Sequence, residues 1–278
     1  MNTNLKKSTI HINITATGIA LYLFLVAFSL NMFGQDFKNG LMVDKMETLA
    51  CSPQKVDSLN QWIDQNGVDA VFLYVSHRWF VNYPNANDSL LDYYHKKGIA
   101  VYAVVSPSST ENQTITRYSQ YLEKYDGVFF EFEYWHNQMT FAAFKDFTRG
   151  LKNALPDKEM LNYIGWPADT YFNGLRRLKF MHMISPNLAV HMYRKNVDLQ
   201  YVRNRLTAID QISGERDTKS SFWILYSSEP IYMGDMLKQK SIAEIHDAFL
   251  KEYKYLNHLE NINLKGQIWF KASDMVPY

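Results

Sequence analysis

Cysteine is nearly absent from this sequence: Cys51 is the single one among 278 residues. No intrachain disulfide can form, so the fold must be held together by its core, and a zinc site made of several cysteines is excluded. A site of histidine and carboxylate ligands stays open, although neither HxxxH nor HxH spacing occurs. We therefore predict no metal site and no other cofactor.

A strong excess of charge of either sign is also missing. The chain carries 29 basic and 28 acidic side chains, a net charge of +1, so we expect neither a nucleic acid nor an anionic membrane surface as a partner. Glycine is sparse, with 12 residues, and neither GxGxxG nor GxxxxGKS/T occurs. The lack of these phosphate-binding turns argues against a dinucleotide-binding or P-loop domain.

The N-terminal segment, residues 1–34, has the pattern of a secretory signal peptide. Lys6 and Lys7 form a basic start, and an apolar run that is broken only by Ser29 covers 19–30. This run is short for a membrane span. We therefore predict a signal peptide over 1–34, a single domain over 35–278, and a location that is secreted, periplasmic or at the cell surface. An uncleaved anchor is the alternative, and no stable membrane partner is expected.

Eight short apolar runs alternate with longer stretches in which apolar residues have helical spacing. The runs predict strands at 40–43, 68–75, 99–105, 128–133, 161–166, 188–193, 222–227 and 267–272. The longer stretches predict helices at 53–65, 89–97, 111–124, 140–154, 170–181, 198–211 and 242–259. Eight such units are typical of an α/β protein with the (β/α)8 TIM barrel fold, and a doubly wound open sheet is the alternative.

The fourth predicted strand places two acids in an apolar, aromatic run, DGVFFEFEYW over 126–135. Alternate side chains of a strand share a face, so Glu131 and Glu133 point to the same side, about 6.5–7 Å apart. Burying charge there is costly unless it is paired or opens onto a polar cleft, and ionisation of one acid disfavours ionisation of the other. The pair therefore predicts an acid–base site, in which Arg78 or Arg194 keeps one acid ionised.

Aromatic, histidine and acidic residues are concentrated after the predicted strands, where barrel enzymes have their active sites. Flat rings beside hydrogen-bonding groups suit the apolar faces and hydroxyl edges of sugars, so we predict a carbohydrate site. For Trp79, Trp135 and Trp166, capping of the core is an equally open interpretation. The predicted substrate-binding residues are Trp79, Tyr134, Trp135, Trp166, Arg194, Glu229 and Trp269.

Strand 4 resembles the signature of glycoside hydrolase family 18, the family of chitinases and endo-β-N-acetylglucosaminidases, which reads D-G-x-D-x-D-x-E followed by Tyr. Asp126 and Gly127 match its start, and Glu133 and Tyr134 match its end. Weaker similarities lie at SPSS (106–109), HMYR (191–194) and Trp269, near the family's motifs on strands 3, 6 and 8.

The resemblance implies hydrolysis of glycans that contain N-acetylglucosamine, with retention and with help from the substrate's own N-acetyl group. It implies that Glu133 is the general acid, that Glu131 orients the N-acetyl group, and that Tyr193 donates a hydrogen bond to the acetamido oxygen. The sequence departs from the family at Phe129, Glu131 and Arg194, where the family has aspartates. Glu131 is one methylene longer, and a displacement of about 1 Å can cost about 100-fold in rate.

Two other functions stay open. Because of these departures, the barrel could bind glycans without cleaving them. Alternatively, Glu229 could be the nucleophile of a retaining glycosidase with Glu133 as acid/base, in which case the two carboxyl groups would lie about 5–5.5 Å apart. Glu229 precedes Pro230, however, which favours the start of a loop.

Overall fold

The computed structural model describes residues 37–105, 115–131, 140–165 and 174–276, and its eight strands form a closed barrel. The strands follow one another in sequence order and run parallel, and β8 closes the barrel on β1. They are β1 Lys38–Val43, β2 Ala70–Tyr74, β3 Ala100–Val105, β4 Gly127–Phe130, β5 Glu159–Ile164, β6 Asn187–His191, β7 Ser220–Ser227 and β8 Ile262–Phe270. The predicted (β/α)8 TIM barrel is confirmed.

Helices separate the strands. They are α1 Met46–Ala50, α2 Pro53–Gln65, α3 His77–Asn82, α4 Pro84–Lys96, α5 Ile115–Leu122, α6 Phe141–Ala154, α7 Gly174–Ile184, α8 Leu199–Glu215, α9 Gly234–Leu237, α10 Ile242–Tyr253 and α11 Ala272–Met275, with a 3-10 turn at Lys254–Leu256. The predicted helix at 53–65 has the same bounds in the structure. The short helices α1, α3, α9 and α11 were not predicted, because they are too short to show a helical period.

Large aromatic side chains fill the middle of the barrel. Phe72 stacks on Tyr102 with ring centroids 4.8 Å apart, and it packs edge to face on Phe129 and Trp223 at 5.7 and 5.8 Å. Glycine makes room for them: a Cβ added to Gly127 would lie 2.6 Å from the Tyr102 ring. The interior is therefore a packed core and not a pore.

The N-terminal end of the barrel is closed by a polar cluster. Glu159, the first residue of β5, accepts a hydrogen bond from Tyr102 Oη at 2.6 Å and from Lys265 Nζ at 2.7 Å. Both partners of this ion pair are about a quarter exposed. The cluster satisfies the charge of Glu159 at this end, while barrel enzymes have their active sites at the opposite, C-terminal end.

The outer core lies between the barrel and its helices. Helix α10 shows how the sequence places a helix there: Ser241 accepts a hydrogen bond from the Glu244 N–H, while the Glu244 side chain accepts one from the Ser241 N–H. This capping box fixes the helix start. One turn apart, Ile245 and Phe249 are buried against the barrel.

Within the described ranges, no helix is long and apolar enough to cross a membrane. The predicted signal peptide, 1–34, lies outside the described residues. The signal peptide, the domain bounds 35–278 and the location outside the cell therefore stay predictions.

Candidate active site

The carboxylate of Glu131 is held at the C-terminal mouth of the barrel by a tyrosine from another strand. Glu131 directly follows β4, and Tyr74, the last residue of β2, donates a hydrogen bond from Oη to Glu131 Oε1 at 2.5 Å. Burial raises the pKa of Tyr74 well above its usual value, and the charge of Glu131 raises it further. Tyr74 therefore stays protonated near neutral pH and acts as the donor, with Glu131 as the acceptor.

Four half-buried aromatic side chains, which we term the aromatic floor, line the mouth: Tyr74, Tyr193, Tyr232 and Phe270. The Phe270 ring lies 6.2 Å from Tyr74 and 6.2 Å from Tyr193, and it is nearly parallel to Tyr193. Tyr193 lies 5.1 Å from Tyr232, which comes from the loop after β7. Tyr74 is tilted by 58° to Phe270 and Tyr232 by 41° to Tyr193, so the floor is a partly apolar surface of differently oriented rings beside the Glu131 carboxylate.

His191, the last residue of β6, connects β5 and α8 through two tyrosine hydroxyls. Its Nδ1 lies 2.9 Å from Tyr163 Oη, and its Nε2 lies 3.1 Å from Tyr201 Oη. Burial lowers the pKa of His191 to about 3, with further lowering by the charges of Arg205 and Arg194. The imidazole is neutral near pH 7, where one nitrogen donates and the other accepts. His191 therefore positions its neighbours and does not exchange protons in this range.

Two arginines lie over the Tyr201 ring, Arg194 at 3.9 Å and Arg205 at 4.3 Å from the ring centroid. Arg205 is fully buried and donates to the backbone oxygens of His191 at 2.8 Å and of Tyr201 at 3.1 Å. The side chain of Arg194 is about half exposed and lies 3.9 Å from Asp198. These contacts fix Tyr201, and through it the orientation of the His191 ring.

The two arginines predicted to keep one acid of the pair ionised have other contacts, and that role stays a prediction. Arg78 forms an ion pair with Glu47 at 3.5 Å, in which its own side chain is largely exposed, and Arg194 is engaged as described above. Tyr74 hydrogen bonds to Glu131. A phenol fixes the position of a carboxylate without adding a charge of its own.

Glu229 lies two residues after β7 in a tightly hydrogen-bonded turn. Ser227 Oγ donates to Glu229 Oε2 at 3.0 Å, and the Glu229 carbonyl accepts from the Tyr232 N–H at 2.8 Å. The Met233 N–H donates to the Ser227 carbonyl at 3.1 Å. The prediction that Glu229 begins a loop is confirmed, and its half-buried side chain lies next to the end of β7.

Two of the predicted sugar-binding tryptophans are buried on the outer side of the barrel wall. Trp79 is 1% exposed and donates from Nε1 to Asn87 Oδ1 at 2.9 Å, and Trp269 is 1% exposed and packs 4.9 Å from Tyr226. Both belong to the core shared by strands and helices. Alternation along β8 sends Trp269 outward and Phe270 into the mouth. The predictions that Trp79 and Trp269 contact substrate are therefore wrong.

The other predicted site residues divide into two groups. Glu131 and Tyr193 are brought to one mouth, since Tyr74 contacts Glu131 and Phe270 contacts both Tyr74 and Tyr193. The remaining predicted residues lie outside the described part of the chain, and their roles stay predictions: Glu133, Tyr134, Trp135 and Trp166.

Sequence reasoning missed three members of the aromatic floor, Tyr74, Tyr232 and Phe270. Tyr74 is the last residue of an apolar strand buried on both faces, where no alternation marks the inner side. Tyr74 lies two residues after Phe72 and therefore on the same face of β2, and Phe72 is central to the interior. This spacing is the feature that points Tyr74 inward. Tyr232 lies in a loop, where no period exists to be detected.

No group of three or more His, Cys, Asp or Glu side chains in the described ranges is arranged to hold a metal ion. The polar groups described at the mouth include the Glu131 carboxylate, the Tyr74 phenol and the neutral His191 ring.

Comparison with known proteins finds similarity in fold and not in sequence. No protein-family model matches the chain, and no curated protein matches it. A family 10 glycoside hydrolase, an endoxylanase from a sugarcane soil metagenome, superposes with a TM-score of 0.53 at 13% identity, over 86% of this chain and 86% of that chain. The intracellular xylanase of Thermoanaerobacterium saccharolyticum, solved with xylotetraose, gives 0.53 at 10% identity, over 89% and 90%.

A protein from Clostridium thermocellum that binds two copies of 5-methyl-5,6,7,8-tetrahydrofolic acid has a TM-score of 0.50 at 8% identity, over 89% of this chain and 94% of that chain. At such identities the likeness concerns the fold alone. The chain is a (β/α)8 TIM barrel, an architecture that it shares with family 10 xylanases and with at least one protein of different ligand chemistry.

Proposed function

We propose that this chain is a glycoside hydrolase that cleaves glycans containing N-acetylglucosamine by retaining, substrate-assisted hydrolysis at the C-terminal mouth of the barrel. One observation carries the proposal: Tyr74 holds the inward carboxylate of Glu131 beside the aromatic floor. Barrel enzymes place their chemistry at this end. A sugar needs an aromatic ring face to lie on and fixed hydrogen-bond acceptors, and we assign these roles to the rings of the aromatic floor and to Glu131.

In this mechanism the acetamido oxygen of the substrate attacks the anomeric carbon of its own sugar while the bond to the leaving oxygen breaks. Glu133 transfers its proton to that oxygen. Glu131 accepts the acetamido N–H, which favours the cyclic, positively charged intermediate, and Tyr193 donates to the acetamido oxygen. Water, activated by Glu133 as base, then opens the intermediate, so the product retains the starting configuration.

The hydrogen bond from Tyr74 affects Glu131, the glutamate that stands where the family has the aspartate that orients the N-acetyl group. Glutamate has one more rotatable bond than the aspartate it replaces, and freedom at a catalytic carboxylate lowers the fraction of productive geometries. Tyr74 restricts that freedom by holding Oε1 at 2.5 Å.

A second enzymatic candidate uses two protein carboxylates. Glu229 is held near the end of β7 by Ser227, which is a position suited to the nucleophile of a retaining glycosidase with Glu133 as acid/base. This mechanism does not need an N-acetyl group. Substrates that lack that group therefore distinguish it from the first candidate.

A third candidate is a barrel that binds glycans without cleaving them. It is favoured by Phe129, which stands in the interior where the family has an acid and which packs on Phe72 and Tyr163 at 5.7 and 6.5 Å. In this case the aromatic floor would bind sugar with no product formed.

The test is hydrolysis of chitooligosaccharides, high-mannose N-glycans and xylooligosaccharides by the purified protein, with products identified by mass spectrometry. We expect cleavage of the substrates that carry N-acetyl groups, and a loss of at least about 100-fold in Glu133→Gln. The variant Tyr255→Ala, at a side chain that is 82% exposed, is the matched control and keeps full activity. Equal turnover by wild type and Glu133→Gln contradicts the assignment, and binding without product supports the third candidate.

We further propose that residues 1–34 direct export and are removed. N-terminal sequencing of the protein recovered from the medium or the periplasm tests this. A mature protein that still begins at Met1 contradicts it.

A further inference from the structure

The turn after β7 presents a large apolar side chain to solvent beside the aromatic floor. Ile231 is 66% exposed, whereas the next residue, Tyr232, is half-buried with its ring 5.1 Å from Tyr193. An isolated exposed apolar residue needs no explanation. Here the exposed residue directly precedes Tyr232, whose ring belongs to the aromatic floor.

This turn is held firmly, so the exposure of Ile231 is built into the fold. Backbone hydrogen bonds hold the turn: the Tyr232 N–H and the Gly234 N–H both donate to the Glu229 carbonyl, at 2.8 and 3.1 Å. Met233 is fully buried and anchors the turn in the core. Gly234 is required there, since a Cβ would lie 2.6 Å from the Ser228 carbonyl oxygen.

We propose that Ile231 and Tyr232 form a second sugar subsite, which binds the residue next to the sugar held at Glu131. This inference rests on the proposed function and extends it to the substrate's neighbouring residue. The apolar C–H face of a pyranose would lie on Tyr232 and Ile231, and Glu229, whose carboxylate Ser227 fixes at 3.0 Å, would accept a hydrogen bond from a hydroxyl at the ring edge.

The chemistry of the turn favours a sugar over a protein as the occupant. Stable protein interfaces bury about 800 Å² on each partner, whereas this surface consists of one exposed aliphatic side chain and the edge of one ring, with a carboxylate beside them. Alternation of apolar face and hydrogen-bonding edge over a few ångströms is the pattern of a carbohydrate. Self-association through Ile231 is kept as an outcome of the test.

The experiment measures binding of N-acetylglucosamine and of chitooligosaccharides of two to six units by calorimetry, in the Glu133→Gln background so that no substrate is consumed. Tyr232→Ala and Ile231→Ser are compared with Tyr255→Ala and Val81→Ser, whose side chains are 82% and 50% exposed elsewhere on the molecule. We expect Tyr232→Ala to weaken binding of the longer oligosaccharides by about fivefold to tenfold, and Ile231→Ser by about threefold, because each removes apolar contact with the second sugar. The control variants bind as the background does.

Chain length separates this subsite from the first. A single N-acetylglucosamine occupies the subsite at Glu131 alone, so its affinity changes less than that of the oligosaccharides, which span both subsites. If all lengths bind the background protein and Ile231→Ser and Tyr232→Ala alter none of them, the subsite is refuted while the proposed function stands.

If Tyr232→Ala fails to fold, Ile231→Ser still tests the subsite, because the Ile231 side chain is 66% exposed and its replacement leaves the core intact. If wild type neither binds nor cleaves any glycan, the proposed function fails and the subsite with it. If wild type dimerises in sedimentation and Ile231→Ser is monomeric, the surface serves self-association and the subsite is refuted.

Discussion

Tyr74 donates a hydrogen bond to Glu131 at 2.5 Å across 57 positions of the sequence. The two residues end β2 and follow β4, so the bond passes over β3, which lies between these strands. It exists because the barrel is closed and brings inward side chains of non-adjacent strands together at one mouth. The position of the Glu131 carboxylate thus depends on β2, a strand that contains no acidic residue.

Tyr74→Phe removes this hydrogen bond and leaves the ring in place. We expect turnover to fall by about 10- to 100-fold through looser placement of Glu131, while the free energy of unfolding falls by only about 1 kcal/mol. Steady-state kinetics and urea unfolding of the same preparation check both. Unchanged turnover would show that the Tyr74 contact has no part in catalysis.

Glu229→Gln separates the two hydrolytic mechanisms. Substrate-assisted hydrolysis needs no carboxylate at this position, so we expect turnover of chitooligosaccharides to change by less than about tenfold. A loss similar to that of Glu133→Gln, together with a covalent glycosyl–enzyme seen by mass spectrometry of the intact protein, would favour the two-carboxylate mechanism instead.

Phe270→Ala and Trp269→Phe test which of these two β8 side chains contacts the glycan. Phe270 belongs to the aromatic floor, so its truncation is expected to weaken glycan binding by about tenfold. Trp269 is buried in the outer core, so Trp269→Phe is expected to lower the free energy of unfolding by about 1–2 kcal/mol and leave glycan affinity unchanged. The reverse pattern in calorimetry and unfolding would restore the original assignment of Trp269.

His191 makes stability depend on pH. Its pKa is lowered to about 3 in the folded protein, while the unfolded value is about 6.5. Between these values only the unfolded chain binds the proton, so this residue makes the folded state less stable as the pH falls below about 6.5. From pH 7 to pH 5 we expect a loss of roughly 2 kcal/mol from this group.

His191→Gln removes the titration while keeping a donor and an acceptor. Burial also lowers the pKa of His246, to about 4. Because His246 is present in both proteins, the difference in the free energy of unfolding between wild type and variant reports on His191. Urea unfolding at pH 7 and pH 5 is the measurement, and the variant should show the shallower decline. Equal declines would contradict a buried neutral His191.

Lys265→Met tests the polar cluster that closes the N-terminal end of the barrel. Lys265 and Glu159 are 27% and 26% exposed, and removal of the lysine leaves the Glu159 carboxylate partly buried with Tyr102 as its donor. We expect a loss of about 1–2 kcal/mol in the free energy of unfolding and unchanged catalysis, because the cluster lies at the end opposite to the site. Lys238→Met, which breaks an ion pair more than 70% exposed, is the matched control and should cost little.

The barrel could be predicted because parallel strands buried on both faces read as continuous apolar runs and the intervening helices have a clear period. The predicted strand 8, 267–272, shows the limit of this reasoning. In the structure β8 covers Ile262–Phe270. Trp269 was assigned to the site because it lies near a strand-8 motif of the family that the sequence resembles, and a resemblance between residue types does not tell which side of the strand faces inward.

Glu131 was found from the sequence because a charge is conspicuous in an apolar strand, where it must have a partner. Its partner was not found, because Tyr74 is one of 19 tyrosines and nothing in a one-dimensional pattern marks the one that faces it. The same holds for Tyr163 and Tyr201 on either side of His191: each comes from a different element, and the contact appears only when those elements pack.

By itself, the sequence determined the order of strands and helices, the fold class and the inward face of Glu131, because these follow from local periodicity and from the cost of burying charge. Only the tertiary structure decided which aromatic residues line the mouth, which tryptophans are buried in the wall, and that Glu131 is held by Tyr74. The physical reason is closure: joining β8 to β1 sets which side of each apolar strand faces the interior and brings distant hydroxyl and carboxylate groups within hydrogen-bond distance.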